Sequence, residues 1–368
     1  MSESEVHPGK PVRDPASYRV ALQAWMRGQR PSAQALEVVE VDMPQATGFS
    51  NETVFFSTRW REEGRDCKQR YVARIEPEGG GLFPVQTPAC RTSVALQHRI
   101  MQAVATSGAV PVPPLLPLEE DASVLGSPFF VMEFVPGRIP ADVPRYSQQG
   151  FLAEEASPEE RGRMVSHGIE LLAALSRLDW RELGLDWLDR SGSGEPEFSR
   201  QVSLYREDAL RVLAGREHPV LLGALDWLDA NVPAAKPGLS WGDARLGNMI
   251  WQDYRCAAVV DWEAAAVAPP EADIGWWVMF DRMSFDDMDT PRLPGFPTRD
   301  EMIAQWESQS GRRVKADIHY WEIFAVMRFC AIMIGLGDRF ERAGLSPPGQ
   351  SPAIQNGVTD ALERLLAG

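Results

Sequence analysis

The stretch LSWGDARLGNMIW, residues 239–251, places Asp243 and Asn248 five positions apart on a predicted loop between two apolar flanks. The residues that follow, QDYRCAAVVDWE, predict a β-hairpin with its turn at Asp-Tyr-Arg. Such a hairpin brings Asp261 back beside the loop on which it begins. We therefore expect Asp243, Asn248 and Asp261 to converge in space, although eighteen positions separate the first from the last.

Two carboxylates and an amide oxygen that converge in this way form a set of hard ligands. Mg²⁺ binds oxygen, usually takes one or two ligands from the protein and leaves its other positions to water and substrate phosphates. Asn248 and Asp261 suit that role, and Asp243 then remains to accept the proton of an attacking hydroxyl. Each residue alone is typical of a turn or a cap. The spacing D-x-x-x-x-N before a hairpin that ends in apolar-apolar-Asp is much more specific.

The regions on either side of this segment differ in their apolar period. The first part of the chain predicts strands, and from about residue 158 the period becomes helical. The predicted strands are Leu36–Asp42, Glu52–Trp60, Gln69–Glu76, Pro128–Phe134, Met249–Gln252 and Ala257–Trp262. The predicted helices cover 14–29, 92–106, 158–178, 198–214, 219–231, 271–287, 299–309, 316–342 and 351–366.

This pattern predicts an α+β fold with two lobes that share a cleft. We expect a flexible arm over residues 1–13 and a strand-rich amino-terminal, nucleotide-binding lobe over 14–135. A larger helical lobe over 136–368 would carry the catalytic loop and the acceptor site. The two lobes agree with the length of 368 residues, which exceeds what one core usually supports.

The composition limits the classes of partner. A net charge of −15 repels phosphate backbones and anionic lipid, so we expect neither a nucleic-acid nor a membrane partner. The start MSESEVHPGK lacks the pattern of a signal peptide, which predicts a cytoplasmic protein. The four cysteines are scattered, which argues against structural zinc and favours reduced thiols. The sequence leaves the oligomeric state open.

WGDARLGN followed by VVDWE resembles the H-G-D-x-x-x-x-N and D-x-D/E motifs of the aminoglycoside phosphotransferase and choline kinase-like family, which has a protein-kinase-like fold. The likeness covers roughly residues 35 to 340. Within it, TGFSNET (47–53) resembles the nucleotide-positioning loop, VARIEP (72–77) the third strand, and VLGSPFFVMEFVPG (124–137) the strand and hinge. The motifs are most similar to the bacterial branch that includes antibiotic kinases and kinase domains associated with acyl-CoA dehydrogenases.

The resemblance implies an ATP- and Mg²⁺-dependent transfer of phosphate to a hydroxyl of a small molecule. It implies that Asp243 is the catalytic base and that Asn248 and Asp261 are the Mg²⁺ ligands. It places Gly48, Phe49, Ser50 and Asn51 over the ATP phosphates, and backbone groups of Glu133, Phe134 and Val135 at the adenine. The residues implied to have supporting roles are Arg245, Glu263 near the metal or the acceptor, and Asp273 as a brace of the catalytic loop.

Three positions depart from the family pattern. Trp241 replaces the histidine of the motif, and we expect its indole N–H to brace the loop instead. Arg74 replaces the lysine that contacts the α- and β-phosphates, and a guanidinium preserves the charge. Gln97 replaces the helix glutamate that normally pairs with that basic residue. Glutamine can still hydrogen-bond the Arg74 guanidinium without neutralising its charge, or the partner of Arg74 can lie elsewhere.

The acceptor stays open at this stage. The acidic run FDRMSFDDMDT (280–290) could attract the ammonium groups of an aminoglycoside, or it could be a solvated helix end. Four tryptophans could line an apolar acceptor pocket or belong to the core: Trp276, Trp277, Trp306 and Trp321. An aminoglycoside, a hydroxyacyl compound and another small alcohol all remain possible acceptors.

Two other classes of function compete with the kinase. One is a pseudokinase that binds nucleotide without transferring phosphate, which the three departures would permit. The other is a metal-dependent hydrolase that uses Asp243, Asp261 and Glu263. The hydrolase accounts for the acidic residues but for neither the hinge nor TGFSNET.

Overall fold

A computed structural model describes the chain over residues 15–43, 51–77, 79–190, 197–342, 344, 346–347 and 353–368. The predicted arm over 1–13 lies outside these residues, as do Gly48, Phe49 and Ser50 of the predicted phosphate loop.

The amino-terminal region contains a four-stranded antiparallel sheet in the order β1-β2-β3-β4. Strands β2 and β3 are joined by a two-residue turn in which Glu63 and Gly64 both have positive φ, as a tight hairpin requires. Residues at positions 18, 22, 25 and 26 form the buried face of the first helix, which packs against β1. The elements are α1 (Pro15–Gln29), β1 (Gln34–Asp42), β2 (Glu52–Glu62), β3 (Arg65–Ile75), α2 (Ser93–Ser107), the single turn α3 (Ala122–Leu125) and β4 (Phe129–Glu133).

The remainder of the chain is mainly helical. Its longest helix, α10, packs against α6, α7, α8 and α11 and forms the centre of the larger core. Serine and threonine capping boxes begin α5 and α9. The elements are α4 (Phe151–Glu154), α5 (Pro158–Ser176), α6 (Ser199–Leu213), α7 (Pro219–Ala230), β5 (Gly238–Ser240), β6 (Met249–Gln252), β7 (Arg255–Val259), β8 (Ala266–Ala268), α8 (Glu271–Ser284), α9 (Arg299–Ser310), α10 (Ile318–Arg342) and α11 (Gly357–Leu366).

Two strand predictions in the helical region were wrong. The sequence analysis found no strands besides the hairpin, but β5 and β8 pair as a second two-stranded sheet. Three-residue strands are too short to show a period of two. The second hairpin strand ends at Val259 rather than at Trp262. The backbone leaves the extended conformation after this strand, and Asp261 has a φ of 61°, in the left-handed region.

Two helix predictions were also too long. The helix predicted over 271–287 ends at Ser284, and a 3₁₀ turn follows over Asp286–Met288. The helix predicted over 351–366 begins at Gly357, because the side chain of Asn356 accepts hydrogen bonds from the backbone N–H groups of Val358 and Thr359 and caps it. Within the described part of the chain, no helix is both long and apolar enough to cross a membrane.

The segment after β4 is fixed against the β6–β7 hairpin. The backbones of Arg138 and Trp251 exchange two hydrogen bonds, each 2.9 Å long. Gly137 makes this approach possible, because a Cβ at that position would lie 2.5 Å from Ile250 Cγ2 and 2.8 Å from the Trp251 carbonyl oxygen. The hinge and the predicted catalytic loop are therefore in direct contact.

Candidate active site

The loop between β5 and β6 is hydrogen-bonded to the first turn of α8. The carboxylate of Asp273 accepts hydrogen bonds from Ser240 Oγ at 2.8 Å, the Trp241 N–H at 2.9 Å and the Gly242 N–H at 2.8 Å. Burial raises the pKa of Asp273 to about 6, although these three donors act in the opposite direction. Gly242 has a φ of 87°, and a Cβ there would lie 2.1 Å from the Ala264 carbonyl oxygen. The backbone of the loop is thereby fixed.

The carboxylate of Asp243 is buried and held by three side chains. Its Oδ1 atom accepts hydrogen bonds from the Trp276 indole at 2.8 Å and from Arg245 Nε at 3.1 Å. Its Oδ2 atom accepts one from Asn248 Nδ2 at 2.7 Å. Three donors from different directions hold the carboxylate in one orientation.

Asp261 lies at the end of the hairpin, where Trp241 contacts its backbone. The Trp241 indole donates to the Asp261 carbonyl oxygen at 3.0 Å, and Arg74 Nη2 donates to Asp261 Oδ2 at 3.4 Å. Burial raises the pKa of the Asp261 carboxyl; Arg74 opposes this rise and the charge of Asp243 adds to it. The Oδ1 atom of Asp261 is buried and has no hydrogen-bond partner among the described residues. An acceptor in this state suggests a ligand that brings positive charge.

These atoms fit a magnesium ion. Asn248 uses its amide nitrogen on Asp243, which leaves its side-chain oxygen for a cation, and Asp261 supplies the unpaired Oδ1. No cluster of three or more His, Cys, Asp or Glu side chains suited to a metal occurs within the described ranges. Mg²⁺ does not require one, because substrate phosphates and water complete its shell.

Gln97 does not hydrogen-bond Arg74, although both side chains are described, so the partners of Arg74 lie elsewhere. Gln97 Nε2 donates to Asn51 Oδ1 at 3.0 Å, and Asn51 Nδ2 donates to Ser93 Oγ at 2.8 Å. Arg74 Nη1 instead contacts Thr53 Oγ1 at 2.9 Å. The Gln97 amide is hydrogen-bonded to the Asn51 amide. Because Gln97 is uncharged, it does not attract the Arg74 guanidinium. Gln97 thus connects α2 to the start of β2.

Two of the three backbone groups predicted at the adenine have partners in the protein. The Glu133 N–H donates to the Pro114 carbonyl at 2.8 Å and the Phe134 N–H to the Arg70 carbonyl at 2.9 Å. Val135 follows them after the end of β4.

Glu263 is buried, and its charge favours the protonated form of Arg339, whose pKa is lowered by burial. Arg339 donates to the backbone carbonyls of the glycine-rich loop at 80–81.

The acidic run at 280–290 is partly neutralised by arginines. Asp281 is buried and forms a two-pronged ion pair with Arg292, with distances of 2.6 and 3.1 Å. Asp287 contacts Arg282 at 3.2 Å and Arg364 at 2.9 Å. The run therefore offers a polycation less negative charge than its sequence suggests.

Among the four tryptophans, Trp276 is the one whose indole contacts Asp243 within the described part of the chain. The other three are buried core residues, at most 3% exposed: Trp277, Trp306 and Trp321. Sequence reasoning left Trp276 open between the core and an acceptor pocket, and no pattern in the sequence distinguishes a tryptophan that donates to a base.

Arg328 is a further site residue that the sequence analysis did not identify. It lies in the apolar centre of α10, is 2% exposed and donates through Nη2 to the Gly242 carbonyl at 2.7 Å. Its guanidinium lies 4.4 Å from the Trp276 ring. The signal was present, since one arginine interrupts the apolar run from Phe324 to Gly337 and a buried charge usually has a specific partner.

A sequence model of the phosphotransferase enzyme family (APH) matches residues 44–302. The chain belongs to the phosphotransferase enzyme family. This membership confirms the family resemblance and the class of enzyme, a small-molecule kinase, that the motifs predicted.

Individual relatives share the fold at low identity. Acyl-CoA dehydrogenase family member 10 of Mus musculus is 26% identical over 359 residues, which cover 94% of this chain and 30% of that protein. A candidate aminoglycoside phosphotransferase from Ralstonia eutropha JMP134 superposes with a TM-score of 0.66 at 24% identity, covering 94% of this chain and 98% of the other. The GDP and kanamycin complex of APH(2″)-IIIa gives 0.56 at 15% identity, covering 95% and 99%.

These likenesses confirm the two-lobed, protein-kinase-like fold class. The chain spans less than half the length of the curated relatives it matches.

Proposed function

We propose that the chain transfers the γ-phosphate of ATP to a hydroxyl of a small molecule, with Asp243 as base and with Asn248 and Asp261 as ligands of Mg²⁺. The observation that carries the proposal is the three-donor hold on Asp243 next to the unpaired Oδ1 of Asp261. A phosphoryl-transfer site needs a carboxylate that is oriented to accept the proton of the hydroxyl. It also needs an anionic oxygen that is free to bind a cation.

Asp243 would orient the acceptor hydroxyl and take its proton as the bond from that oxygen to the γ-phosphorus forms, while the bond from the γ-phosphorus to the β,γ-bridging oxygen breaks and ADP leaves. Trp276, Arg245 and Asn248 fix the direction of its lone pairs before the acceptor arrives, and such positioning is a main source of rate in phosphoryl transfer. A bound Mg²⁺ would neutralise charge on the phosphates. Arg74, whose side chain is 12% exposed, would add a fixed positive charge at the same place.

The donor nucleotide would bind between β4 and the loop at 47–53. Because the N–H groups of Glu133 and Phe134 already have partners, we assign adenine recognition to the Glu133 carbonyl and the Val135 N–H. The loop containing Gly48, Phe49 and Ser50 would cover the phosphates. Asn51, held by Gln97 and Ser93, would fix the end of that loop.

An ATP-consumption screen tests this function. The intact protein with Mg²⁺ and ATP is assayed against aminoglycosides, macrolides, choline-like amines and hydroxyacyl compounds, with Asp243→Asn as the blank. We expect at least one acceptor to raise ATP consumption above the blank. If none does and Mg²⁺-ATP still raises Tm, the chain is a nucleotide-binding pseudokinase, and the proposed transfer is wrong.

Trp241→His is expected to keep kcat within about tenfold of the wild type, because an imidazole N–H can replace the indole as donor to the Asp261 carbonyl. The smaller ring leaves a cavity beside Trp262, since Trp241 is 1% exposed, and we expect a loss of about 3 kcal/mol in the free energy of unfolding. Steady-state kinetics well below Tm separate the two effects. A loss of kcat as large as that of Asp243→Asn would assign Trp241 a chemical role.

Arg74→Ala is expected to raise the KM for ATP by about tenfold or more, with a smaller change in kcat, because it removes a charge-assisted contact to the phosphates. Arg65→Ala is the matched control, since Arg65 lies on the same strand and is exposed. Initial rates at varied ATP give both constants. An unchanged KM would exclude Arg74 from the nucleotide site.

A further inference from the structure

Asp142 belongs to none of the motifs described above, yet it contacts the catalytic loop. Arg245 Nη1 donates to Asp142 Oδ2 in a short ion pair, and Nε of the same guanidinium donates to Asp243 Oδ1 at 3.1 Å. One arginine therefore joins two carboxylates through different nitrogens. Asp243 is 9% exposed in its side chain, whereas Asp142 is 42% exposed and lies at the edge of the site.

The surroundings of Arg245 fit this bridged conformation. A Cβ on Gly247 would lie 2.6 Å from Arg245 Nη1 and 3.3 Å from Asp142 Oδ1, so a side chain at this position would displace the guanidinium from the bridge. The Phe280 ring lies 5.3 Å from the guanidinium carbon on another side. The absence of a side chain at Gly247 therefore leaves room for the guanidinium, and the Phe280 ring packs near it.

The segment that carries Asp142 is attached to the catalytic hairpin at a second place. The backbones of Arg138 and Trp251 exchange two hydrogen bonds, and the Pro140 carbonyl oxygen would lie 3.3 Å from a Cβ on Gly247. Asp142 thus approaches Arg245 from a backbone that is already fixed relative to the loop. Such an anchor can hold a side chain in one orientation.

Arginine needs such an anchor here. A free arginine side chain loses rotamer entropy when it is held in one conformation, and one hydrogen bond to Asp243 does no more than offset that loss. Asp261 and bound phosphates would also compete for the guanidinium, since both carry negative charge. A second carboxylate on the opposite side keeps Arg245 away from these competitors.

We propose that Asp142 is a positioning residue for phosphate transfer, which acts through Arg245 to orient the Asp243 carboxylate without touching the reacting atoms. This role rests on the proposed function, because it matters for rate only if Asp243 is the base. It also explains why the loop reads D-A-R-L-G-N: the arginine orients Asp243, and the glycine leaves room for the arginine.

Kinetics of four variants test the proposal with the acceptor that the wild type uses fastest. Asp142→Asn is expected to lower kcat by about tenfold and to leave the KM for ATP within about twofold. Arg245→Met is expected to lower kcat by about a hundredfold, and adding Asp142→Asn to it should cause no further loss. Glu155→Gln, which breaks the exposed Arg138–Glu155 pair of the same segment, should keep the wild-type kcat.

Three results would overturn the proposal. Asp142→Asn could match Glu155→Gln in kcat, or it could lower kcat equally with and without Arg245. In a crystal structure of Asp142→Asn, the guanidinium could also remain on Asp243; we expect it to leave. The crystal structure decides the role of Asp142 in holding Arg245 even if no acceptor is phosphorylated, an outcome that would count against the proposed function instead.

Discussion

Asp243→Asn should reduce kcat by about a thousandfold at saturating ATP and acceptor, because an amide cannot take the proton of the attacking hydroxyl. The substitution also replaces one acceptor oxygen by an NH₂ group. This group faces other donors, because the Asp243 carboxylate accepts hydrogen bonds from Trp276, Arg245 and Asn248. The KM for ATP should change little, because the residue does not contact the nucleotide in the proposed mechanism. Single-turnover measurement of phosphate transfer is the direct readout.

Asp253→Asn is a matched control for this change. Asp253 is an exposed aspartate in the turn of the neighbouring hairpin, and asparagine tolerates its positive φ of 46°. The control should keep the wild-type rate. If Asp243→Asn retained a tenth or more of the wild-type kcat, Asp243 would not be the base.

Asp261→Asn should also reduce kcat by about a thousandfold, because it removes the proposed anionic ligand of Mg²⁺. The ligand-free variant should nevertheless be at least as stable as the wild type. A buried carboxylate oxygen without a donor costs free energy, and the amide removes the charge that causes the cost, while its oxygen can still accept the 3.4 Å hydrogen bond from Arg74 Nη2. Thermal unfolding with and without Mg²⁺-ATP should show an unchanged or higher Tm alone and a much smaller rise with the ligand.

The same pair of measurements separates a metal ligand from a structural residue. A structural aspartate would lose Tm in the ligand-free state when it is replaced, and it would keep the rise caused by Mg²⁺-ATP. Asp253→Asn again serves as the control and should resemble the wild type in both. A full rise with Mg²⁺-ATP in Asp261→Asn would remove this residue from the metal site.

Much of the fold could be predicted because its long elements have clear periods and caps. The start of α1 at Pro15, the capping box before α5 and the tight turn between β2 and β3 are all local signals. The short pair β5 and β8 has no such signal, since three residues cannot show a period. Its pairing depends on contacts between residues far apart in the sequence.

The site could be predicted where a motif links residue type to spacing, and not where tertiary contact alone decides. Asp243, Asn248 and Asp261 were selected from their spacing, and their roles stay predictions. The sequence left the partner of Arg74 open between Gln97 and another residue, because the direction of a side chain on α2 cannot be read from its position in the sequence. Trp276 reaches Asp243 from a helix thirty-three positions later.

The hydrogen bonds from the loop between β5 and β6 to Asp273 limit the movement of that loop. Loops are usually the most mobile parts of a fold, but here two backbone N–H groups and a hydroxyl are bound to a carboxylate that is 3% exposed on α8. To shift this loop, the chain would have to break part of its helical core. If nucleotide enters this cleft as proposed, we therefore expect the amino-terminal sheet, rather than the loop that carries Asp243, to move during its exchange.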